Sequence, residues 1–169
     1  MSVSKHPLRD YGALERAWLV CCIALPFAIF VVALVFALPS RGGIPGKIID
    51  GDTLFVCDTS TCQKIRLCGI NAPERGQVGG EEARAALSSM VAGQIVRCVQ
   101  VGHGTVCDGR SRPTDGDRMV AQCFVGDEDL AENLVRQGHA CDWKRFSGGH
   151  YSRQGLGRVC PPGQRASAY

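Results

Sequence analysis

Four short polar features carry the side chains that could do chemistry. Asp50-Gly51-Asp52-Thr53 sets two carboxylates on a tight turn. Such a pair can face a hard cation such as Ca²⁺, which takes oxygen ligands. Arg66 interrupts an otherwise apolar, strand-like run. Asn71-Ala72-Pro73-Glu74 follows it. Pro73 has a fixed φ, which stiffens that loop and holds Glu74 in one direction. Arg118 stands immediately ahead of an apolar run at 119–125. Taken singly, each has an ordinary reading: a turn, a solvated strand face, a surface loop and a surface arginine.

The elements that must position them are short. Residues 47–50 lead into the Asp50-Gly51-Asp52 turn, and 53–57 and 64–68 read as β-rich runs around a polar turn at 58–61. Cys57 and Cys62 flank that turn, so a cross-strand disulfide is expected there. Gly80–Val91 reads as a helix, with Ala83, Ala86, Leu87 and Met90 at spacings of three and four and Glu81 and Glu82 in its first turn. Runs 95–101 and 119–125 read as strands bearing Cys98 and Cys123, which pair if the strands are neighbours. Residues 127–137 read as a second helix that stops at Gly138. Strands followed by helices predict a small α+β domain or a partly closed barrel with helices.

The N-terminal part is of another kind. No charged residue occurs from Ala17 to Ser40, and Pro26 is the one helix breaker within 18–38. A membrane-spanning helix needs about 20 apolar residues, so 17–39 is read as a transmembrane helix after a short cytosolic segment, 1–16. A cleaved leader is the competing reading, but its apolar stretch is usually about 7–15 residues and no A-x-A site follows here. A buried core helix would show a polar stripe, and none is present. Lys5, Arg9 and Arg16 precede the run, and Arg41 and Lys47 follow it, which favours a cytosolic N-terminus. Residues 40–46, rich in Pro and Gly, read as a tether, and 148–169 as a Gly/Pro-rich tail.

Cysteine usage agrees with export. Eight cysteines lie beyond residue 40, an even and dense count that suggests disulfides in an oxidising compartment. Zinc is the rival reading, and no C-x-x-C pair supports it. The net charge of +3 is not by itself a nucleic-acid footprint, so any polyanion site has to be local. The expected placement is a single-pass membrane protein with its folded domain on the extracytoplasmic side, periplasmic or extracellular.

In order and interval the four features resemble the staphylococcal nuclease (thermonuclease) family. The likeness runs through Ile49-Asp50-Gly51-Asp52-Thr53, then Ile65-Arg66-Leu67-Cys68-Gly69-Ile70-Asn71-Ala72-Pro73-Glu74. It continues in Arg118-Met119-Val120-Ala121, in Asp129-Leu130, and in Leu134-Val135-Arg136-Gln137-Gly138-His139-Ala140. The resemblance implies an OB-fold, a five-stranded β-barrel with flanking helices, over 47–147. It also implies a Ca²⁺-dependent phosphodiesterase acting on DNA or RNA. By this likeness Asp52 is a calcium-ligand aspartate, and Asn71 stands where a second ligand aspartate is expected. Ala72 would offer its backbone carbonyl to the metal, with Asp50 and Thr53 supporting. Glu74 would orient or activate the attacking water, and Arg66 and Arg118 would grip the scissile phosphate. The chemistry is coherent: two forked guanidiniums match phosphate oxygens, and a carboxylate aligns the nucleophile.

Three departures from the family pattern carry consequences. Asn71 offers an amide oxygen without full charge, which weakens a Ca²⁺ site. Gly116-Asp117-Arg118 stands where the family usually has Tyr-Gly-Arg, so Asp117 is expected to set a negative charge beside Arg118. After Tyr151, where a C-terminal helix is expected, the chain turns Gly/Pro-rich. These departures keep an alternative open: a catalytically weak or inactive nuclease-like module that binds nucleic acid or another anionic or protein partner.

Overall fold

The computed structural model describes residues 40–155 and 157–162. The expected transmembrane helix at 17–39 and the segment 1–16 lie outside the described residues.

Strand β1 (Ser40–Ile48) pairs antiparallel with β2 (Thr53–Cys57), and β2 with β3 (Cys62–Leu67). Short β4 (Ile70–Asn71) follows, then helix α1 (Gly80–Val91) and strand β5 (Val96–Gln100). Next come β6 (Thr114–Asp115), β7 (Arg118–Val125) and β8 (Glu128–Asp129). Helix α2 (Leu130–Arg136), β9 (Cys141–Asp142) and α3 (Lys144–Ser147) complete the order, with a 3₁₀ turn at Arg153–Gly155. The main sheet runs β3-β2-β1-β5-β7, and β3 pairs in parallel with β7. That last pairing closes five strands into a barrel, as an OB-fold requires. Leu54, Ile65, Leu67, Val96 and Ala121 fill it, and Leu87 of α1 with Leu130 and Leu134 of α2 extend the same core.

Residues 40–46 are not a tether. They form most of β1, with Ser40 opposite Val99 and Gly43 opposite Val96. Glycine and proline are weak strand formers, but tertiary context overrides propensity here. A Cβ on Gly43 would come within 2.4 Å of the Cys57 carbonyl oxygen, so only glycine permits this close pairing. The register shifts between Pro45 and Ile48; a bulge is where a strand accommodates a proline. The second helix is also shorter than 127–137. Residues 128–129 pair with β7 instead, and Asp129 caps α2 by accepting from the N–H groups of Ala131 and Glu132.

The Gly/Pro-rich tail belongs to the fold. Tyr151 is buried and donates its hydroxyl to Asp129 Oδ2 at 3.3 Å. Asp142, fully buried, accepts from the Ser147 hydroxyl and from Ser152 N at 2.8 Å. Val159 bridges to Asp142, and Cys160 closes a disulfide with Cys141. The structure also holds Cys57–Cys62 and Cys98–Cys123, the two pairs suggested by the hairpin and the neighbouring strands, and a fourth, Cys68–Cys107.

The Cys141–Cys160 bridge fastens a segment with little regular structure of its own. Replacing both cysteines by Ser is expected to lower unfolding stability by about 2–4 kcal/mol, read as a shift in the urea midpoint of the oxidised protein.

Candidate active site

The turn between β1 and β2 is built to bury its carboxylates. Asp52 N donates to Asp50 Oδ1 at 2.9 Å, and Thr53 Oγ1 donates to Asp52 Oδ1 at 3.1 Å. Both aspartates and Thr53 are buried. Gly51, at the apex, is wedged between α1 and the loop after β4. A Cβ there would lie 2.5 Å from Ala83 Cβ and 2.7 Å from Ala72 Cβ.

Three segments meet on Asp52. Its Oδ2 accepts from Ala72 N at 2.8 Å and pairs with Arg66 Nη1 at 2.9 Å. Its carbonyl accepts from Leu67 N at 2.8 Å. The guanidinium of Arg66 is buried and closely held. Nη1 also donates to the Leu67 carbonyl at 3.0 Å, while Nη2 donates to the Ile70 carbonyl at 2.9 Å and reaches Asn71 Oδ1 at 3.4 Å. All four terminal N–H bonds of Arg66 thus have partners inside the protein, and Nε–H is left over. Asp52, Asn71, Ala72 and Arg66 are therefore brought together as one cluster.

Burial pushes the Asp52 carboxyl up to about 7, against the pull of Arg66; the nearby Asp50 carboxylate adds to the rise. The oxygens gathered here, from Asp50, Asp52 and the Asn71 amide, are of the class a hard divalent cation takes. Among the described residues no group of three His, Cys, Asp or Glu side chains forms a metal cluster, so a cation here depends on amide and backbone oxygens. The donor set fits Ca²⁺ in kind, with Arg66 as a competing positive charge on Asp52.

Glu74 sits half-buried in the loop after β4. Its N–H donates to Gln77 Oε1 at 3.0 Å and its carbonyl accepts from Gln77 N at 2.9 Å, which folds the loop back ahead of α1. Arg118 opens β7. The parallel register sets Arg66 opposite Val120, and strand alternation puts Arg118 on the same sheet face as both.

Asp117 does set a negative charge near Arg118, but the direct ion pairs fall elsewhere. Asp117 turns to Lys64 at 3.1 Å, and it is Asp115 that pairs with Arg118. The antiparallel β6–β7 register accounts for this, because it sets Asp115 directly opposite Arg118. Asp115 was missed because the pairing depends on a two-residue strand with no apolar pattern of its own.

A cleft of about 390 Å³ opens beside Arg66. Arg110, Arg112 and Arg145 also line it, as do Asp115, Trp143 and Phe146. None of these was singled out from the sequence, and only the loose bunching of arginines at 110–118 could have pointed to them.

A closed five-stranded barrel with flanking helices, with Arg66 of its buried cluster lining a cleft that also bears Arg110, Arg112 and Arg145, defines an OB-fold domain. Residues 64–155 match the family described as Staphylococcal nuclease homologue, and the chain belongs to the staphylococcal nuclease family. It is similar to Protein ParB of Escherichia coli, 40% identical over 77 residues, which are 46% of this chain and 43% of that protein. An uncharacterized endonuclease of Escherichia coli O157:H7 is 32% identical over 124 residues, 73% of this chain and 74% of its own. A micrococcal nuclease of Shigella flexneri is 33% identical over 72 residues, 41% of each chain. The match thus spans less than half of ParB and about three quarters of the Escherichia coli O157:H7 protein.

Two outcomes follow from the cluster. Gly51→Ala is expected to cost about 1–3 kcal/mol through overpacking against Ala83 and Ala72, measurable by denaturant titration. The raised Asp52 carboxyl also sets a sign. The folded protein keeps a proton that the unfolded chain releases near 3.8. The stability this proton contributes is complete below that value and is lost as pH rises through about 7. In chelator, the stability of the native protein relative to Asp52→Asn should therefore decline between about pH 4 and pH 7. A flat difference would show Asp52 ionised throughout.

Proposed function

We propose that this chain is a nuclease that hydrolyses phosphodiester bonds of DNA or RNA in a Ca²⁺-dependent reaction. Its domain would be held on the extracytoplasmic side by a single membrane-spanning helix at residues 17–39. The observation that carries the chemistry is the position of Arg66, fixed in the Asp52–Asn71 cluster and forming part of the wall of a basic cleft.

The role proposed for each residue comes from the family resemblance, and the contacts support it for Asp52, Asn71 and Arg66. Asp52, Asn71 Oδ1 and the Ala72 carbonyl would hold the cation, with Asp50 and Thr53 fixing Asp52. When bound, Ca²⁺ would supply Lewis-acid stabilisation of the charge that builds on phosphate oxygens. Arg66 has two donors on Asp52 and Asn71 and two on backbone carbonyls. Engagement of the Asp52 and Asn71 oxygens elsewhere frees the first two donors for phosphate, while the carbonyls keep the guanidinium plane in place. Arg118 has one acidic partner, Asp115, whose side chain is half exposed, so phosphate competes there with a single partly solvated carboxylate. Glu74 aligns the attacking water from its braced loop.

The location rests on the cysteines. Eight of them form four disulfides, a state that persists in oxidising compartments. Among the described residues no helix is long and apolar enough to cross a membrane, so the anchor rests on the sequence of 17–39.

A second reading, a weakly active or inactive binding module, is favoured by the amide at Asn71 and by the closed set of bonds around Arg66. One experiment separates the two. The full-length chain is incubated with single-stranded and duplex DNA and with RNA, in millimolar Ca²⁺ or in chelator. Cutting is expected only with Ca²⁺, and Glu74→Gln should reduce it by about a hundredfold or more. Asn71→Asp should lower the Ca²⁺ concentration needed for half-maximal rate. Salt-sensitive binding with no cleavage would instead establish the binding module.

A further inference from the structure

Glu74 has to hold a water in line, yet its loop has little of its own to stiffen it. Between β4 and α1 the chain runs Pro73-Glu74-Arg75-Gly76-Gln77-Val78-Gly79, and Gly76 and Gly79 take left-handed φ values of 85° and 86°. Glycine leaves a backbone more freedom than any other residue. Pro73 restrains the chain only on the side before Glu74.

Gln77 holds it from the side after. Its N–H donates to the Glu74 carbonyl at 2.9 Å, and its side-chain Oε1 accepts from the Glu74 N–H at 3.0 Å. One residue thus takes up both main-chain polar groups of Glu74. Gln77 is tied to the helix in turn, because its carbonyl accepts from Gly80 N at 3.0 Å. It is exposed, so core packing does not account for its side chain.

Gly80, the first residue of α1, makes the closest approach. A Cβ there would lie 2.0 Å from the Glu74 carbonyl oxygen and 2.7 Å from its carbon. Ordinary contact begins near 3.4 Å, so any side chain would push the Glu74 main chain away by about 1 Å or more. The helix behind this contact is seated in the core through Ala83, Leu87 and Val91. Ala83 also packs on Gly51, at the apex of the Asp52 turn. The first turn of α1 therefore backs the Asp52 turn and the Glu74 loop together.

We infer that Gln77 and Gly80 are positioning residues for Glu74. Gln77 clamps its main chain, and Gly80 lets α1 close against the same carbonyl. The inference rests on the water-aligning role given to Glu74 above. Both residues act through Glu74, so their loss falls on kcat and leaves the grip of Arg66 and Arg118 on phosphate, and with it KM, in place. A displacement of about 1 Å at a reacting group costs on the order of a hundredfold.

The test uses the full-length chain and two readouts: kcat and KM on DNA in saturating Ca²⁺, and hydrogen exchange of the Glu74 amide in chelator. Gln77→Ala should lower kcat about tenfold with KM within about twofold, and should speed exchange at Glu74 about tenfold. Gln77→Glu keeps the acceptor and should restore most of both. Val78→Ala, in the same loop but fully exposed, should change neither. Gly80→Ala should lower kcat about a hundredfold. Helix propensity alone favours alanine there, so a fall in rate reports the crowding of Glu74. Gln77→Ala with unmoved exchange, with freed exchange but unmoved kcat, or with a loss matched by Val78→Ala overturns the inference. The two readings fail separately. A chain that cuts nothing, while Gln77→Ala alone frees the Glu74 amide, keeps the clamp and sinks the nuclease. A chain that cuts, with kcat and exchange unmoved in Gln77→Ala, does the reverse.

Discussion

The buried pair between Asp52 and Arg66 is the contact on which the arrangement of the site depends. An ion pair out of water is a weak source of stability, since desolvation of both charges offsets their attraction. Here each partner is satisfied further. Asp52 also accepts from Ala72 N and Thr53 Oγ1, and Arg66 also donates to the carbonyls of Leu67 and Ile70. Losing one partner of such a pair costs about 3–5 kcal/mol, because the other is stranded in a buried place. The pair therefore acts on position. It fixes the β1–β2 turn, the end of β3 and the segment from β4 into the loop after it relative to one another; the first and last carry the oxygen donors, and the end of β3 carries Arg66.

The second half of the site reaches this cluster only through barrel closure. The parallel β3–β7 pairing brings Arg118, with its partner Asp115, onto the sheet face of Arg66 from about fifty positions away in sequence. Long-range closure is entropically expensive, and the disulfides fall where that expense is felt. Cys98–Cys123 ties β5 to β7 in register, and Cys68–Cys107 spans 39 positions to fasten the β5–β6 connection to the end of β3. Cys141–Cys160 does the same for the tail. Three of the four bridges thus hold segments that border the cleft or lead into it, which links the cysteine content to the geometry of the site as well as to the compartment.

Much of the barrel was legible in the sequence because its local signals agree. The hairpin around Asp58 shows β-rich runs, a polar turn and flanking cysteines, and the structure adds that Asp58 accepts from Ser60 N and Thr61 N to form the turn. Helix α1 showed its apolar spacing and acidic first turn. Residues 40–46 were misread because glycine and proline suggest a linker, whereas a bulge and a close backbone approach to Cys57 make them a strand. The tail was misread for the same reason, since its order comes from Tyr151 on Asp129 and Ser152 on Asp142. Such contacts depend on distant partners and leave no periodicity. At the site, the convergence of Asp52, Arg66, Asn71 and Ala72 was legible as a resemblance, but the pairing of Arg66 with Asp52 was not, because spacing does not say which way a long side chain turns.

Charge shows the same division between what composition gives and what geometry decides. A net charge of +3 over 169 residues predicts no strong field. The structure sorts the charges. Lys64 takes Asp117, Arg118 takes Asp115, and Arg75 and Arg84 both take Glu81 on the outer side of α1's first turn. Among the described residues Arg110, Arg112 and Arg145 line the cleft with no acidic partner within 4 Å, so a nearly neutral chain presents a concave surface with an excess of positive charge over its one acid, Asp115. Low-dielectric walls strengthen such a field at short range, while salt screens it within about 10 Å at 0.1 M. A local excess of positive charge on a concave wall is what an anion site would need in a protein without a basic composition.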